Sequence, residues 1–452
     1  MDMKKYMGCL IIILMLFGVV AGRARAASAR FTPSLLLNYH WNDNIQAIDP
    51  DQVDPIAVQW IDYMIGLDAA FKAQNLSMSL GGAAGYSQYV ATSQDLKKLV
   101  DLHLSDLNYL NLALRGNLEY LTASQAFDLD DQLKRNRIFS DIFGPQNSDF
   151  SDFYLYTDNL ASAQWRFRTR SPFYGLFRYE FESTNFDKPK GDWTSKQGSS
   201  YQHHGYAKFA YKINPKAELG LDLQGGQRTY DDSIVKDQFG YERKVQVVDY
   251  DFYQALLDFT YKLSAKASLE AAAGAHVRQF FGKSNDTPDL KDYTLPIGRI
   301  SYNQASKNQY GLTLAGEYSS NTYGINLYFN YWQVSGDFKY YIRKPFYLDF
   351  TGIYKQDTYN RENLDLENVW RHNRVDNVGI ASIALVWDAL RKAETPYLSF
   401  NLGYQFQNRD SSIDKAEDYV AAWPGLYTSY NTQVNTVAFQ LIFNPSVLIG
   451  PR

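Results

Sequence analysis

"NTQVNTVAFQLIFNPSVLIGPR", residues 431–452, decides how the rest of the chain is read. Its middle sets Val437, Phe439, Leu441 and Phe443 at every second position, with Ala438, Gln440 and Ile442 between them. Side chains alternate between the two faces of a strand, so this segment has one continuous apolar, aromatic face and one mixed face. Such a strand suits a protein core or a lipid bilayer, and its pattern alone does not choose.

The other end of the chain narrows the choice. "MDMKK" is a short basic start, "CLIIILMLFGVV" is apolar, and "AGRARA" offers small residues at Ala24 and Ala26. This is the layout of a secretory signal peptide over residues 1–26, with an apolar run too short for a membrane span. Cys9 precedes most of that run, which argues against a lipid-attachment cysteine, and it is the only cysteine in the chain. The expected mature chain, 27–452, is a single domain without disulfides in an exported, oxidising setting. The leader carries four of the 45 basic and one of the 49 acidic residues, leaving the mature chain near −7. A mildly acidic chain without basic clusters is a poor binder of nucleic acid, so none is expected as a partner.

No later stretch approaches eighteen consecutive apolar residues, so no transmembrane helix is expected. Yet aromatics make up 16% of the chain, with 36 tyrosines, while mean hydropathy is negative. Aromatic girdles around a polar interior give that balance in a transmembrane barrel. Segment after segment has period two: "AQWRFRTR", "LFRYEFES", "AKFAYKIN", "ELGLDLQG", "LLDFTYKL", "TYGINLYFNYW" and "YLSFNLGYQF". No stretch sustains a helical period. The reading is all-β.

Segment lengths of roughly 10–20 residues exceed those of soluble strands and suit tilted strands crossing a bilayer. Tight connections at "AQNL" (73–76), "TRSPF" (169–173), "INPKA" (213–217), "LSAKA" (263–267), "SKNQ" (306–309), "RKPF" (343–346) and "RKAETP" (391–396) alternate with long polar ones. If all tight turns lie on one side, the strands between any two must be even in number. That holds from "INPKA" onward if 322–342 is one strand. Between "AQNL" and "TRSPF" it demands one more strand within 122–157, a weakly alternating stretch that also suits a helix or plug. The expectation is a transmembrane antiparallel up-and-down β-barrel of about eighteen strands (16–18) over 31–443, with both termini periplasmic. The tail 444–452 holds two prolines, which argue against further strand. A barrel that wide has a water-filled lumen.

The polar phase of the strands names the candidate lumen residues. Arg166, Arg168 and Arg170 lie on one strand, with Arg178, Glu180 and Glu182 beyond the "TRSPF" turn. Residues two apart stand about 7 Å from each other, so the arginines make a ladder. Lys208, Lys212, Asp222, Asp258, Lys262, His276, Arg278 and Asp349 share that phase. Two readings stand: the charges pair among themselves, or the ladder selects anions in a narrow aqueous pore. Tyr328 and Trp332 are candidates for stacking on sugar rings. His203 and His204 point to opposite faces and are poorly placed to share a metal. "DLDDQ" (128–132) and "SNDTPDLKD" (284–292) read as acidic loop pieces without full calcium-loop spacing. Gly225–Gly226 reads as a bulge or a flattening. No cofactor or metal is expected. The six histidines are scattered and no serine has a nucleophile setting, so no enzyme is expected.

With the strands placed, the chain resembles the β-barrel porin families associated with bacterial exopolysaccharide and surface-polymer gene clusters. The resemblance is carried by "FTPSLLLNYHWNDNI" (31–45), "YTDNLASAQWRFRTR" (156–170) and the hairpins through Phe443. It implies a Gram-negative outer-membrane channel passing hydrophilic solutes, a secreted polysaccharide among them. It also implies as partners outer-membrane lipid, lipopolysaccharide, periplasmic export proteins and the assembly machinery, which would read Phe439, Leu441 and Phe443. The alternatives are a non-conducting binding or scaffold barrel of a secretion complex and, with less support, an outer-membrane enzyme.

Overall fold

The computed structural model describes residues 28–43, 57–90, 108–138, 154–168, 172–186, 199–230, 233–236, 242–245, 249–281, 292–306, 309–323, 326–359, 372–392, 395–413, 431–445 and 447–449. The first strands are β1 (Ser28–Asn42), β2 (Val58–Lys72), β3 (Leu76–Val90), β4 (Tyr109–Leu121), β5 (Gln125–Ile138), β6 (Tyr154–Arg168) and β7 (Phe173–Phe186). Then come β8 (Ser200–Lys212), β9 (Ala217–Tyr230), β10 (Ser233–Lys236), β11 (Glu242–Val245), β12 (Tyr250–Ser264), β13 (Ala267–Phe280) and β14 (Tyr293–Ser306). The last are β15 (Tyr310–Tyr323), β16 (Asn326–Arg343), β17 (Phe346–Tyr359), β18 (Arg374–Lys392), β19 (Thr395–Ser411), β20 (Thr432–Phe443) and β21 (Val447–Ile449). Among the described residues there is no helix.

β1–β9 and β12–β20 pair antiparallel in chain order, β9 passing to β12 and β20 returning to β1. Eighteen strands therefore close into an up-and-down barrel. β10 and β11 pair only with each other, as a hairpin inside the 231–249 connection that the alternation had not shown. β2, β4, β6, β8, β12, β14, β16 and β18 each end at one rim, here the turn rim, where the next strand begins after two to four residues of sequence. β1, β3, β5, β7, β9, β13, β15, β17 and β19 end at the opposite rim, here the loop rim. β1 begins and β20 ends at the turn rim.

Side chains close several of these turns by bonding their own backbone. Asn214 Oδ1 accepts the N–H groups of Lys216 at 2.8 Å and Ala217 at 2.9 Å. Thr122 Oγ1 accepts that of Gln125 at 2.9 Å. Hydroxyl and amide side chains offer such local partners, which is why these residues favour turns. The turn at 122–124 supplies the strand that parity demanded, β5, whose 125–138 span lies within 122–157. "DLDDQ" is thus strand and not loop. Residues 139–153 and all of "SNDTPDLKD" but Asp292 lie outside the described residues. The strand expected at 322–342 begins at Asn326 instead, because 322–323 complete β15.

The register assigns every face. Gln440 stands between Asn38 on β1 and Asn401 on β19, an amide row across the closure. Its neighbours Phe439 and Leu441 join Tyr39 and Leu37 on the other face. Followed around the barrel, that outer face carries Leu37, Ile65, Leu110, Leu129, Trp165, Phe177, Leu221, Leu257, Ile300, Val334, Leu385 and Leu402, all exposed. A belt of exposed Leu, Ile and aromatic side chains is unfavourable in water by roughly 1.5–3 kcal/mol per large residue and is matched to hydrocarbon.

The tail departs from expectation. Val447–Ile449 is strand, paired with Ala29–Phe31 of β1. Its register continues that of β20, since Leu35 meets Phe443 and Ala29 meets Ile449, which sets Pro33 opposite Pro445. Two residues without N–H face each other, so pairing lapses there and then resumes. The prolines interrupt this strand without ending it.

Ile65 is 72% exposed at the middle of β2. Ile65→Arg is expected to lower the equilibrium stability of the barrel in lipid vesicles by about 2–4 kcal/mol. Thr313→Arg, on the inward face of β15, is expected to change it by less than about 1 kcal/mol in a denaturant titration.

Candidate functional site

The inner wall is lined by polar and charged side chains, and its arrangement rests on small residues beneath them. About midway between the rims, Lys208 Nζ on β8 lies 3.0 Å from Asp258 Oδ2 on β12 and 3.4 Å from Asp222 Oδ1 on β9. β9 runs between β8 and β12, so the Lys208–Asp258 contact must pass over it. It does so at Gly220, where a Cβ would come within 2.2 Å of Asp258 Oδ1. Arg299 on β14 reaches back over Ala272, its direct partner on β13, to 3.9 Å from Asp222 Oδ2. The same device recurs across β3. Arg115 on β4 meets Asp68 on β2 at 2.7 Å over Gly81, where a Cβ would come within 2.1 Å of the carboxylate. Long charged side chains thus lie along the wall, reaching acids two or three strands away.

The arginine ladder is resolved in the same way. Arg166 Nη2 stands 3.0 Å from Asp128 Oδ2 and 3.2 Å from Glu119 Oε1. Gln164 donates to Asp128 at 3.1 Å, and Ser77 to Glu119 at 3.2 Å. Arg178 is ion-paired with Glu180, whose second oxygen is 3.7 Å from His204 Nδ1. Arg168, Glu182, Lys212 and Lys262 fall on the inward phase by register, with Lys212 and Lys262 toward the turn rim. Asp349 faces Lys339 Nζ at 3.4 Å. Arg170 lies outside the described residues. The wall is therefore a mosaic of neighbouring opposite charges, with Arg166 and Arg178 both held by acids.

Sequence reasoning missed a second zone, nearer the loop rim. Arg278 stacks over Tyr250 at 4.4 Å and Tyr293 at 5.6 Å, and Phe252 lies parallel to His276 at 6.2 Å. Leu256, Leu295 and Ile297, also inward by register, form a buried cluster beside them. The signal was present in "QALLDF": Leu256 and Leu257 are adjacent, so both faces are apolar at that level. On β18, Arg374 and Asp376 are wholly buried; Asp376 Oδ1 accepts from Arg374 Nε at 2.8 Å and from Ser411 Oγ at 2.6 Å.

Other expectations change. Trp332 points outward with Val334 and Phe338, donating from Nε1 to Gln356 at 3.0 Å, and so does not face the lumen. The Tyr328 side chain lies outside the described ones. Gly225–Gly226 is no bulge, because β9 keeps its register with both neighbours. Gly226 instead leaves room for the Phe252 ring, 2.8 Å from where its Cβ would be. His203 contacts Tyr179 Oη at 2.6 Å on the outer face, while His204 is inward. Among the described residues no cluster of His, Cys, Asp and Glu is suited to a metal.

No family model matches the chain, and no curated protein matches it. Solved structures of similar course include the outer membrane protein OpdK from Pseudomonas aeruginosa, 11% identical, with 92% of this chain and 99% of that one covered at a TM-score of 0.45. Pseudomonas aeruginosa OccK9 (OpdG) is 12% identical, with 93% and 98% covered at 0.46. Acinetobacter baumannii OccAB4 is 10% identical, with 94% and 99% covered at 0.47. On its own geometry this chain is a membrane-spanning antiparallel β-barrel with an apolar exterior and a charged lumen wall.

Gly220→Ala is expected to destabilise the barrel by about 1–3 kcal/mol, as overpacking does. In a double-mutant cycle with Asp258→Ala the two losses are expected to be non-additive by more than about 0.5 kcal/mol. Additive losses would separate the glycine from the ion pair.

Proposed function

We propose that this chain is a channel of the outer membrane, exported after loss of residues 1–26, that passes hydrophilic solutes without changing them chemically. One observation carries the reading: a closed eighteen-strand barrel joins an outward apolar belt to an inward wall of charged and amide side chains. Eighteen strands enclose more space than side chains growing from the wall can fill. A wall of alternating charge lets ions and neutral polar solutes exchange hydration for short-lived contacts. The turn rim and both termini face the periplasm in this reading, lipid and lipopolysaccharide surround the belt, and Phe439, Leu441 and Phe443 serve assembly.

The finer reading adds a secreted polysaccharide as cargo and periplasmic export proteins as partners. It is supported by the family resemblance and by inward hydroxyl and amide groups such as Asn38, Gln440, Asn401, Thr313 and Asn303. A specific observation favours the alternative of a non-conducting scaffold: the inward Leu256, Leu295, Ile297, Arg374 and Asp376 are shielded from solvent toward the loop rim.

Reconstitution into planar bilayers decides between them. The wild type is expected to form a conducting pore, and Arg166→Ala with Arg168→Ala and Arg178→Ala to move the reversal potential toward cations. Absence of conductance would overturn the channel, and an unchanged reversal potential would remove these arginines from selectivity.

A further inference from the structure

A hollow of about 180 Å³ lies on the lumen wall across β8 and β12–β16. At about 30 Å³ per water it holds about six waters, the size of one small solute. Its polar lining is Lys208, Asp258 and Arg299 with Glu270, Glu317 and Gln333, and Thr260, Ser301 and Ser335 add hydroxyls. Ala272 and Ala315, inward by register, supply the remaining open space.

The charges around this hollow are not all satisfied by one another. Arg299 and Glu317 are direct cross-strand partners on the same inward face, the geometry in which opposite charges ordinarily meet. They are turned apart. Arg299 leans toward Asp222, at 3.9 Å, with its side chain 61% exposed. Glu317 accepts a hydrogen bond from Tyr331 Oη at 2.8 Å. Glu270, opposite Ser301, stands one position further toward the turn rim. Among the described residues no cation comes within ion-pair distance of Glu270 or Glu317. Lys208 is held at the far side by Asp222 and Asp258. The hollow therefore presents the loosely held guanidinium of Arg299, leaning back toward β9, and the carboxylates of Glu270 and Glu317, which have no cation at ion-pair distance among the described residues.

We propose that this hollow is a binding site for a small zwitterion, an α-amino acid whose carboxylate meets Arg299 and whose ammonium meets Glu317 and Glu270. The solute's two charges are separated in the same sense as those of the wall, so each is paired and neither end is left desolvated alone. A simple anion satisfies only the arginine and faces two carboxylates. A simple amine satisfies the carboxylates and meets the arginine. This site rests on the lumen being open to solutes, the reading made above.

Calorimetric titration of the folded full chain in detergent tests the site apart from conductance. Alanine is expected to bind at least about tenfold more tightly than propionate, propylamine or glucose, the worth of one charge-assisted contact. Arg299→Gln and Glu317→Gln are each expected to weaken alanine by about tenfold. Ala315→Leu keeps every charge but fills the hollow, and is expected to abolish binding even if a charge variant misfolds. Propylamine binding as tightly as alanine would make this a cation site, and glucose doing so a saccharide site; either overturns the proposal, as does no alanine heat. A barrel that conducts without binding alanine overturns this site alone, and one that binds alanine without conducting overturns only the channel.

Discussion

Backbone amides have no partner in hydrocarbon other than each other, and the whole structure follows from that constraint. A sheet meets it only by closing, and closure here depends on β1 taking β2 on one edge and β20 on the other. Once that join is made, parity follows: connections alternate between rims and both ends of the barrel chain fall at the turn rim. The alternation of side chains then has only one consistent orientation. If Phe439 faces lipid, then through Leu402, Tyr39 and every pair beyond them the opposite phase must face the lumen.

Within the lumen, the residues that organise the charges are those with the smallest side chains. Asp258 reaches Lys208 because Gly220 leaves the surface of β9 bare, and Arg115 reaches Asp68 because Gly81 does the same on β3. A larger residue at either place would stand between the ions. The wall is low where the ionic contacts cross it, so the charges lie flat along it. The packing of the wall and its electrostatics are therefore one arrangement.

Much of the fold was legible because both of its signals are local. Period two shows strands, and the alternation of short and long connections shows how they are joined. β5 was located by counting, not by its own pattern, since Asp131 interrupts its outer face and its turn, Thr122–Ser124, has neither glycine nor proline. The site was legible only by phase. Arg166, Arg178, Lys208, Asp222 and Asp258 fall on the inward face by alternation, but their partners depend on register between distant segments. Asp258 is 50 residues from Lys208 and two strands away, with Gly220 deciding the contact. The apolar cluster of Leu256, Leu295 and Ile297 breaks the alternation that served elsewhere, so phase alone did not show it.

The facing prolines, Pro33 and Pro445, divide the last join into two fasteners on one line. The pairs from Leu35 to Asn42 form the longer, and the three pairs of Ala29–Phe31 with Val447–Ile449 the shorter. Because no backbone pair among the described residues bridges the lapse, the shorter can unclasp while the longer stays zipped. Watertightness and the finish of the rim are thus separable properties of this barrel, the first belonging to β20 and the second to β21.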